Sequence, residues 1–260
     1  MTTMKTMHIP GFPEATDPVE LPDIAELLVQ PMVYKMDADE FRRRGTELQR
    51  WLLDRVPLTN RRRYVSVSVK VNLFYPGSAV ESGEIRRERP WHRDGNMDLF
   101  KINPDVHHLL LTPCEVLTEF NTQPFQLQVP ETFSVPQLMQ VINNGRIKPQ
   151  GRRMPANCLV TFGDHLHRPI DTRATHHQFR YSFRVVESDD TAPMAYPKCL
   201  QGAQHVLPHH TEDHAAYRIN VERAREGGRI VLHLPDDPYR DFLVPLLQGA
   251  SENDSPRGDH

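Results

Sequence analysis

Strict alternation of apolar and polar residues along two stretches of the sequence constrains the fold more than any other feature. Between Tyr64 and Tyr75, valine or leucine occupies every second position, with serine, lysine or asparagine in between. From Gln178 to Val186, apolar residues alternate in the same way with Arg180, Ser182 and Arg184. Because successive side chains of a strand point to opposite faces of a sheet, each stretch predicts a strand with one apolar and one polar face.

Shorter runs typical of strands occur at His107 to Leu111, Val116 to Phe120 and Cys158 to Phe162, and the 23 prolines and 13 glycines supply turns between such runs. Helical spacing of apolar residues predicts one amphipathic helix from Asp39 to Asp54, and a second helix fits Pro136 to Asn143. The sequence therefore predicts a mainly β fold with flanking helices, of the α+β class.

The chain is expected to form a single domain over residues 1–260. Prolines within residues 1–62 indicate an extended N-terminal arm that leads into the first helix. Residues 63–187 carry the predicted strands and form the core. Residues 188–248 are predicted as a helical C-terminal extension, and residues 249–260, which are small, polar and charged, as a disordered tail.

Charge and cysteine content disfavour several classes of function. A formal net charge of −3 and a pI near 6.5 provide no basic surface for a nucleic-acid backbone, so no nucleic-acid partner is expected. No stretch approaches the ~20 apolar residues of a membrane span, and residues 1–10 contain no apolar secretion signal. The isolated residues Cys114, Cys158 and Cys199 are expected to be free thiols, so we predict a cytoplasmic location without a membrane partner.

Two separate segments contain residues that could bind a metal. His92 and Asp94 stand two residues apart, which in an extended strand places both side chains on one face. After the apolar run Leu159–Phe162, His165 and His167 also occupy alternate positions, and either could supply a third ligand. The simpler alternative is that both are partly exposed turn histidines. Each spacing alone is weak evidence for a metal site, so the prediction depends on the combination of these residues.

The polar face of the second long strand presents two guanidinium groups and a hydroxyl, from Arg180, Ser182 and Arg184. Burying this face would be costly without an anion. A dicarboxylate would match the bidentate fork of an arginine and accept a hydrogen bond from the serine. The alternative is that these residues form a basic stripe exposed to solvent.

The order of these groups along the chain, His-x-Asp, then a distal histidine, then Arg-x-Ser, resembles that of the Fe(II)/2-oxoglutarate-dependent oxygenases. The resemblance implies that the predicted core is a double-stranded β-helix of the jelly-roll or cupin type. It also implies that His92, Asp94 and His167 hold Fe(II) as a facial triad, leaving coordination positions for 2-oxoglutarate and O2. His165 competes for the distal position, and His167 is preferred because His-Arg-Pro after an apolar strand is similar to the distal segment of the family.

The same resemblance implies a binding site for the cosubstrate 2-oxoglutarate. Arg180 and Ser182 match the pair that binds its far carboxylate, and Arg184 competes with Arg180 for this role. Asn72 and Tyr75, at the end of the first long strand, match positions that contact the cosubstrate in many members of the family.

The activity implied is hydroxylation of a small-molecule substrate, or its desaturation or cyclisation, with release of succinate and CO2. Because related halogenases replace the carboxylate ligand by a small residue, Asp94 favours these reactions over halogenation. The predicted C-terminal helices could also support a homodimer. The alternative hypothesis retains the predicted strands but no catalytic activity. In that case the protein is a catalytically silent, cupin-like metal- or ligand-binding module.

Overall fold

The structure of the protein is a computed structural model that describes residues 3–23, 26–27, 30–74, 91–94, 98–170, 172–176, 178–194, 198–200 and 206–208. The strands, in chain order, are β1 (Met4–Ile9), β2 (Glu14–Ala15), β3 (Met32–Asp37), β4 (Tyr64–Phe74), β5 (Val106–Leu111), β6 (Thr118–Asn121), β7 (Phe125–Pro130), β8 (Gly151–Arg153), β9 (Val160–Phe162), β10 (His167–Pro169), β11 (Gln178–Ser188), β12 (Lys198–Leu200) and β13 (Val206–Pro208). The helices with described bounds are α1 (Ala38–Arg44), α2 (Glu47–Leu53) and α3 (Val135–Asn143).

The two long alternating strands lie side by side at the centre of the largest sheet. Its strand order is β12-β3-β4-β11-β5-β9-β2, and β13 adds to β4 in parallel. Strands β4 and β11 are antiparallel and pair along their whole lengths. The register sets Arg180 opposite Asn72 and Ser182 opposite Lys70. Directly opposed residues of an antiparallel pair point to the same side, so the polar residues of both strands share one face.

A smaller sheet, with strand order β10-β6-β8, covers part of that polar face. His92 extends it through an antiparallel bridge to His167 at the edge of β10. Phe162 of β9 and Phe120 of β6 pack against each other across the two sheets, with ring centroids 5.0 Å apart. A separate two-stranded sheet pairs β1 with β7.

The apolar face of the large sheet packs against α1 and α2. Val67, Val69 and Phe183 are fully buried there together with Phe41 and Leu52 of the two helices. Burying a side chain of this size contributes about 1.5–3 kcal/mol, so this layer is the main hydrophobic core. Because helices occupy this face, the polar face of β4 and β11 is turned toward the small sheet.

The prediction of one helix from Asp39 to Asp54 is wrong, because the structure has two short helices there. Helix α1 ends at Gly45, whose N–H donates to the carbonyl of Phe41, and a Cβ at this glycine would lie 2.7 Å from that oxygen. Thr46 then begins α2 with a capping box to Gln49. Reciprocal capping by threonine and glutamine is a helix start signal, and it divides the apolar periodicity into two segments.

The mainly β fold is confirmed, and the five predicted strands appear as β4, β5, β6, β9 and β11 with ends shifted by a few residues. The predicted N-terminal arm contains β1, which docks on β7. Strands β12 and β13 lie within residues 188–248, where a helical extension was predicted, and the remainder of the chain from residue 209, with the predicted tail, lies outside the described residues. In the described part of the chain, no helix combines the length and the apolar character that a membrane crossing requires.

Candidate metal centre

Two histidines distant in sequence are brought together by backbone pairing. The N–H of His92 donates to the carbonyl of His167 at 2.9 Å, and the N–H of His167 donates to the carbonyl of His92 at 2.8 Å. Residues that pair in this way project their side chains on the same side, and the two imidazole rings lie 4.4 Å apart between centroids. Asp94, two residues beyond His92, extends toward the same point.

The three side chains form a compact cluster of possible metal ligands. One ligand atom each from His92, Asp94 and His167 lies within 4.8 Å of the others. The Nε2 atoms of His92 and His167 lie 4.0 Å and 3.4 Å from the two carboxylate oxygens of Asp94. Among the described residues this is the one group of three or more such side chains that meets this distance.

The ring of His167 is oriented by a hydrogen bond on its other nitrogen. Its Nδ1 lies 3.1 Å from the carbonyl oxygen of His165, and a carbonyl can only accept, so Nδ1 carries the proton. The Nε2 lone pair is thereby left for a metal, as metal-binding histidines require. His165 itself turns its Nδ1 to the N–H of Gly163, and burial lowers the pKa of this imidazole to about 4. The structure therefore brings His167 into the cluster and leaves His165 outside it.

Arg184 holds the carboxylate of Asp94. Its NH2 donates to Asp94 Oδ2 at 2.6 Å and to Nδ1 of His107 at 2.9 Å. Burial raises the pKa of Asp94, but the proximity of His167 and the charge of Arg184 outweigh it and hold that pKa well below its usual range. Asp94 is therefore ionised, as a metal ligand must be.

His107 is a site residue that the sequence did not single out. Because an arginine can only donate, His107 accepts at Nδ1 and carries its proton on Nε2, which has no hydrogen-bond partner among the described residues. Burial, followed by the charge of Arg184, lowers the pKa of this ring to about 3, so it is neutral. Its ring stacks on Phe162 at 5.1 Å, and Phe162 in turn contacts the ring of His167. The one signal that could have identified His107 is its position beside Arg184 on the neighbouring strand, and this position is known only once the strand pairing is known.

Arg180 lies deeper between the two sheets. It is only 7% exposed, and its guanidinium donates to the carbonyl of Val116 at 2.9 Å and to Oδ1 of Asn72 at 3.2 Å. Within the described part of the chain, no carboxylate lies within 4.0 Å of it, and burial lowers its pKa. Ser182 follows on the same face of β11, half-buried, while the predicted site residue Tyr75 lies outside the described residues.

A buried ion pair joins the two segments that carry the candidate ligands. Arg93, between His92 and Asp94 in the sequence, donates through NH2 to Oδ1 of Asp164 in the turn that leads to His167. The side chain of Arg93 is 3% exposed and that of Asp164 25% exposed. No sequence pattern indicated this contact, because a pairing of residues 71 positions apart depends on the fold.

Comparison with protein-family models, with curated proteins and with solved structures finds no match to this chain. The interpretation of the site therefore depends on its own donor set. Two imidazoles and one carboxylate suit a divalent transition metal better than an alkaline-earth ion, which prefers oxygen ligands.

Proposed function

We propose that this protein is a non-haem, Fe(II)- and 2-oxoglutarate-dependent oxygenase that oxidises a small molecule and releases succinate and CO2. The observation that carries the proposal is the cluster of His92, Asp94 and His167, with ligand atoms within 4.8 Å of one another. Two histidines and one carboxylate with open coordination positions are typical of non-haem Fe(II) oxygenases.

The dimensions of the cluster fit a metal after small side-chain adjustments. Ligand atoms about 2.1 Å from a metal in neighbouring octahedral positions lie ~3 Å apart. The separations from Asp94 to His167 and to His92 are 3.4 Å and 4.0 Å, so closing on an ion requires movements of about 0.4 to 1 Å. His165 orients His167 and Arg184 orients Asp94 through hydrogen bonds, and metal ligands in proteins usually have such partners.

The path of the chain supports a double-stranded β-helix. The chain passes back and forth between the two sheets, with β6 and β8 in succession in the small one. Strands β4, β5, β9 and β11 belong to the large sheet, and the segment of His92, β6, β8 and β10 to the small one. These eight segments, four in each sheet, match the strand number of a jelly roll. The candidate ligands project between the sheets, where such folds hold their ligands.

The arrangement of the two arginines favours Arg180 as the anchor for 2-oxoglutarate. Arg184 already pairs with Asp94, whereas the partners of Arg180 among the described residues, Val116 and Asn72, are neutral. A buried guanidinium without a carboxylate is expensive, and a carboxylate from a ligand would compensate it. Ser182, next on the same face, supplies a hydroxyl for the same group.

In this proposal the residues of the chain bind the metal and the cosubstrate, orient them, and shield the site from water. When bound, Fe(II) would supply, together with 2-oxoglutarate and O2, the oxidant for a C–H bond of the substrate, with succinate and CO2 as the products of the cosubstrate. His92, Asp94 and His167 hold the ion, and Arg180 fixes the cosubstrate along β11. Phe120 and Phe162 pack beside His167, with ring centroids 5.3 and 5.2 Å away, and exclude water from that side. Cys114 and Cys158 are free thiols, which favours a reducing, cytoplasmic setting.

Anaerobic spectroscopy tests the proposal directly. We expect the full chain, mixed with Fe(II) and 2-oxoglutarate under nitrogen, to develop a weak visible charge-transfer band, and to release succinate when O2 is admitted. His167→Ala should lose the band, whereas His176→Ala, which removes an exposed histidine outside the cluster, should keep it. Folded protein that binds Fe(II) but gives neither band nor succinate would instead support the catalytically silent binding module.

A further inference from the structure

Lys70 is a third cation on the polar face between the sheets. It lies opposite Ser182 on the neighbouring strand, so Arg180 and Arg184 are its diagonal neighbours on β11. Diagonal neighbours in an antiparallel pair are about 7–8 Å apart, which long side chains can span. Arg184 is neutralised by Asp94, but in the described residues neither Lys70 nor Arg180 has a carboxylate within 4.0 Å. Two cations on this face therefore have no anionic partner in the part of the chain that the structure describes.

The surroundings of Lys70 disfavour its positive charge. Burial, followed by the charges of Arg184, Arg180 and Lys35, lowers the pKa of Lys70 to about 8. Its Nζ lies 4.9 Å from the ring centroid of Tyr34 on β3, a contact that provides only partial compensation. The charged groups that act on Lys70 from β3 and β11, namely Lys35, Arg180 and Arg184, are therefore all cationic.

The hydrogen-bonding capacity of Arg180 leaves room for a shared ligand. Of the five N–H groups of a guanidinium, the described contacts with Val116 and Asn72 use two, and Nε has no partner among the described residues. A carboxylate that accepts from Arg180 retains lone pairs for further donors. Lys70 and Ser182 are the next donors along the same face.

We propose that Lys70 is a second cationic anchor for the far carboxylate of the bound dicarboxylate, acting beside Arg180. The inference rests on the proposed function, because it assumes that 2-oxoglutarate extends from the metal along β11. Lys70 would add a specificity element from β4, because a ligand whose far end is neutral would leave the buried Arg180 and the half-buried Lys70 uncompensated. The pocket should therefore select 2-oxoglutarate over 2-oxo acids with an uncharged end.

The affinity for the carboxylate should depend on pH, and the sign of this dependence follows from the charge of Lys70. A bound carboxylate favours the protonated amine and raises its pKa above the value of about 8 in the free protein. Binding above that pH must therefore take up a proton, whereas Arg180 and Arg184 stay charged throughout. Between pH 7 and pH 9 the protonated fraction of free Lys70 falls about ten-fold, so the affinity for 2-oxoglutarate should fall by up to the same factor.

Calorimetric titration of the Mn(II)-loaded full chain with 2-oxoglutarate measures these effects. At pH 7, Lys70→Met should weaken binding about ten-fold or more and remove the additional loss between pH 7 and pH 9. Lys35→Met is the matched control, since it removes a neighbouring lysine on β3 and should leave the affinity at pH 7 within about two-fold. In the wild type at pH 8.5, titrations in buffers of different ionisation enthalpy should show proton uptake on binding.

The outcomes separate this inference from the proposed function. If Lys70→Met binds 2-oxoglutarate like the wild type at both pH values, Lys70 is not an anchor, while loss of binding in Arg180→Ala would leave the oxygenase proposal intact. If the Mn(II)-loaded wild type binds no 2-oxoglutarate, both proposals fail. The proton-uptake measurement uses wild-type protein, so absence of uptake overturns the inference even if Lys70→Met does not fold.

Discussion

The ion pair of Arg93 and Asp164 connects the segment of His92 and Asp94 to the turn before His167, and removing it should affect both stability and metal binding. The two partners differ in burial, with side chains 3% and 25% exposed. Loss of the carboxylate leaves a buried guanidinium uncompensated, whereas loss of the guanidinium leaves a carboxylate that water can reach. The two single substitutions should therefore have unequal effects.

The magnitudes follow from this asymmetry. Breaking a buried pair by removing one partner costs about 3–5 kcal/mol, and we expect Asp164→Asn at the lower end, ~3 kcal/mol, because the carboxylate is partly exposed. Arg93→Met keeps the apolar stem and should cost about 1–2 kcal/mol. In the Arg93→Met background, Asp164→Asn should cost less than ~1 kcal/mol, which gives a coupling energy of about 2 kcal/mol. For a chain of this size, Asp164→Asn should lower Tm by roughly 6–12 °C.

Denaturant unfolding of the four proteins of this double-mutant cycle measures the coupling, and Mn(II) titration of each measures the consequence for the site. Mutation of outer partners of metal ligands typically costs 10–100-fold in metal affinity, so we expect at least a ten-fold loss for Asp164→Asn. The matched control is the exposed pair of Arg43 and Glu40 on α1, where Arg43→Met should cost less than about 1 kcal/mol and leave Mn(II) binding unchanged.

Any of three results would refute the reasoning. A coupling energy near zero would mean that the pair of Arg93 and Asp164 does not stabilise the fold. A full loss of stability with unchanged Mn(II) affinity would mean that the pair stabilises the sheet without positioning the ligands. Equal effects of both single substitutions would contradict the argument from unequal burial.

Three further predictions concern single residues. His167→Ala should lose most of the bound metal by elemental analysis, whereas His165→Ala should retain it; the reverse would reassign the distal ligand. Arg180→Lys should weaken 2-oxoglutarate binding about ten- to a hundred-fold in calorimetry, because an ammonium cannot reproduce the planar fork, and near wild-type affinity would contradict the assignment of this anchor. Burial raises the pKa of the Glu187 carboxyl, but hydrogen bonds from His108 and Thr59 outweigh burial and lower this pKa below the ordinary 4.5. The stabilisation of the fold by the Glu187 carboxylate is therefore fully present above pH 4.5 and is lost as the pH falls through the lowered pKa. Thermal unfolding should accordingly show a gap between wild type and Glu187→Gln at pH 7 that narrows below pH 4, and a constant gap would contradict the role of the carboxylate.

Strands with a long alternating pattern could be predicted from the sequence together with their faces, whereas several strands of three residues could not be predicted. Each of β4 and β11 has 11 residues, enough positions for the alternation to identify both its faces. Strands β8, β10, β12 and β13 have three residues each, too few to show a period. Their positions depend on pairing with distant segments, such as β10 with β6, and local sequence does not encode that.

The candidate site was predictable to a similar degree. The spacing of His92 and Asp94, and the face shared by Arg180, Ser182 and Arg184, are local properties of extended chain. The contact of Arg184 with Asp94 and the placement of Lys70 diagonally between two arginines involve different segments of the chain and need the register. Residue type indicated which groups carry charge, and only the pairing determined which of them are neutralised.

The burial of the polar face decides between the two interpretations of the second long strand. An exposed basic stripe would be solvated and would require no partner, but Arg180 is 7% exposed and lies between two sheets. The opposite face of the same strand packs on α1 and α2, so the strand cannot turn its arginines to solvent without exposing Tyr181 and Phe183, which are fully buried. The register therefore fixes Arg180 between the sheets, where its charge has to be compensated. In the described residues Asp94 compensates Arg184 alone, and the dicarboxylate that we propose as the cosubstrate would supply the remaining negative charge.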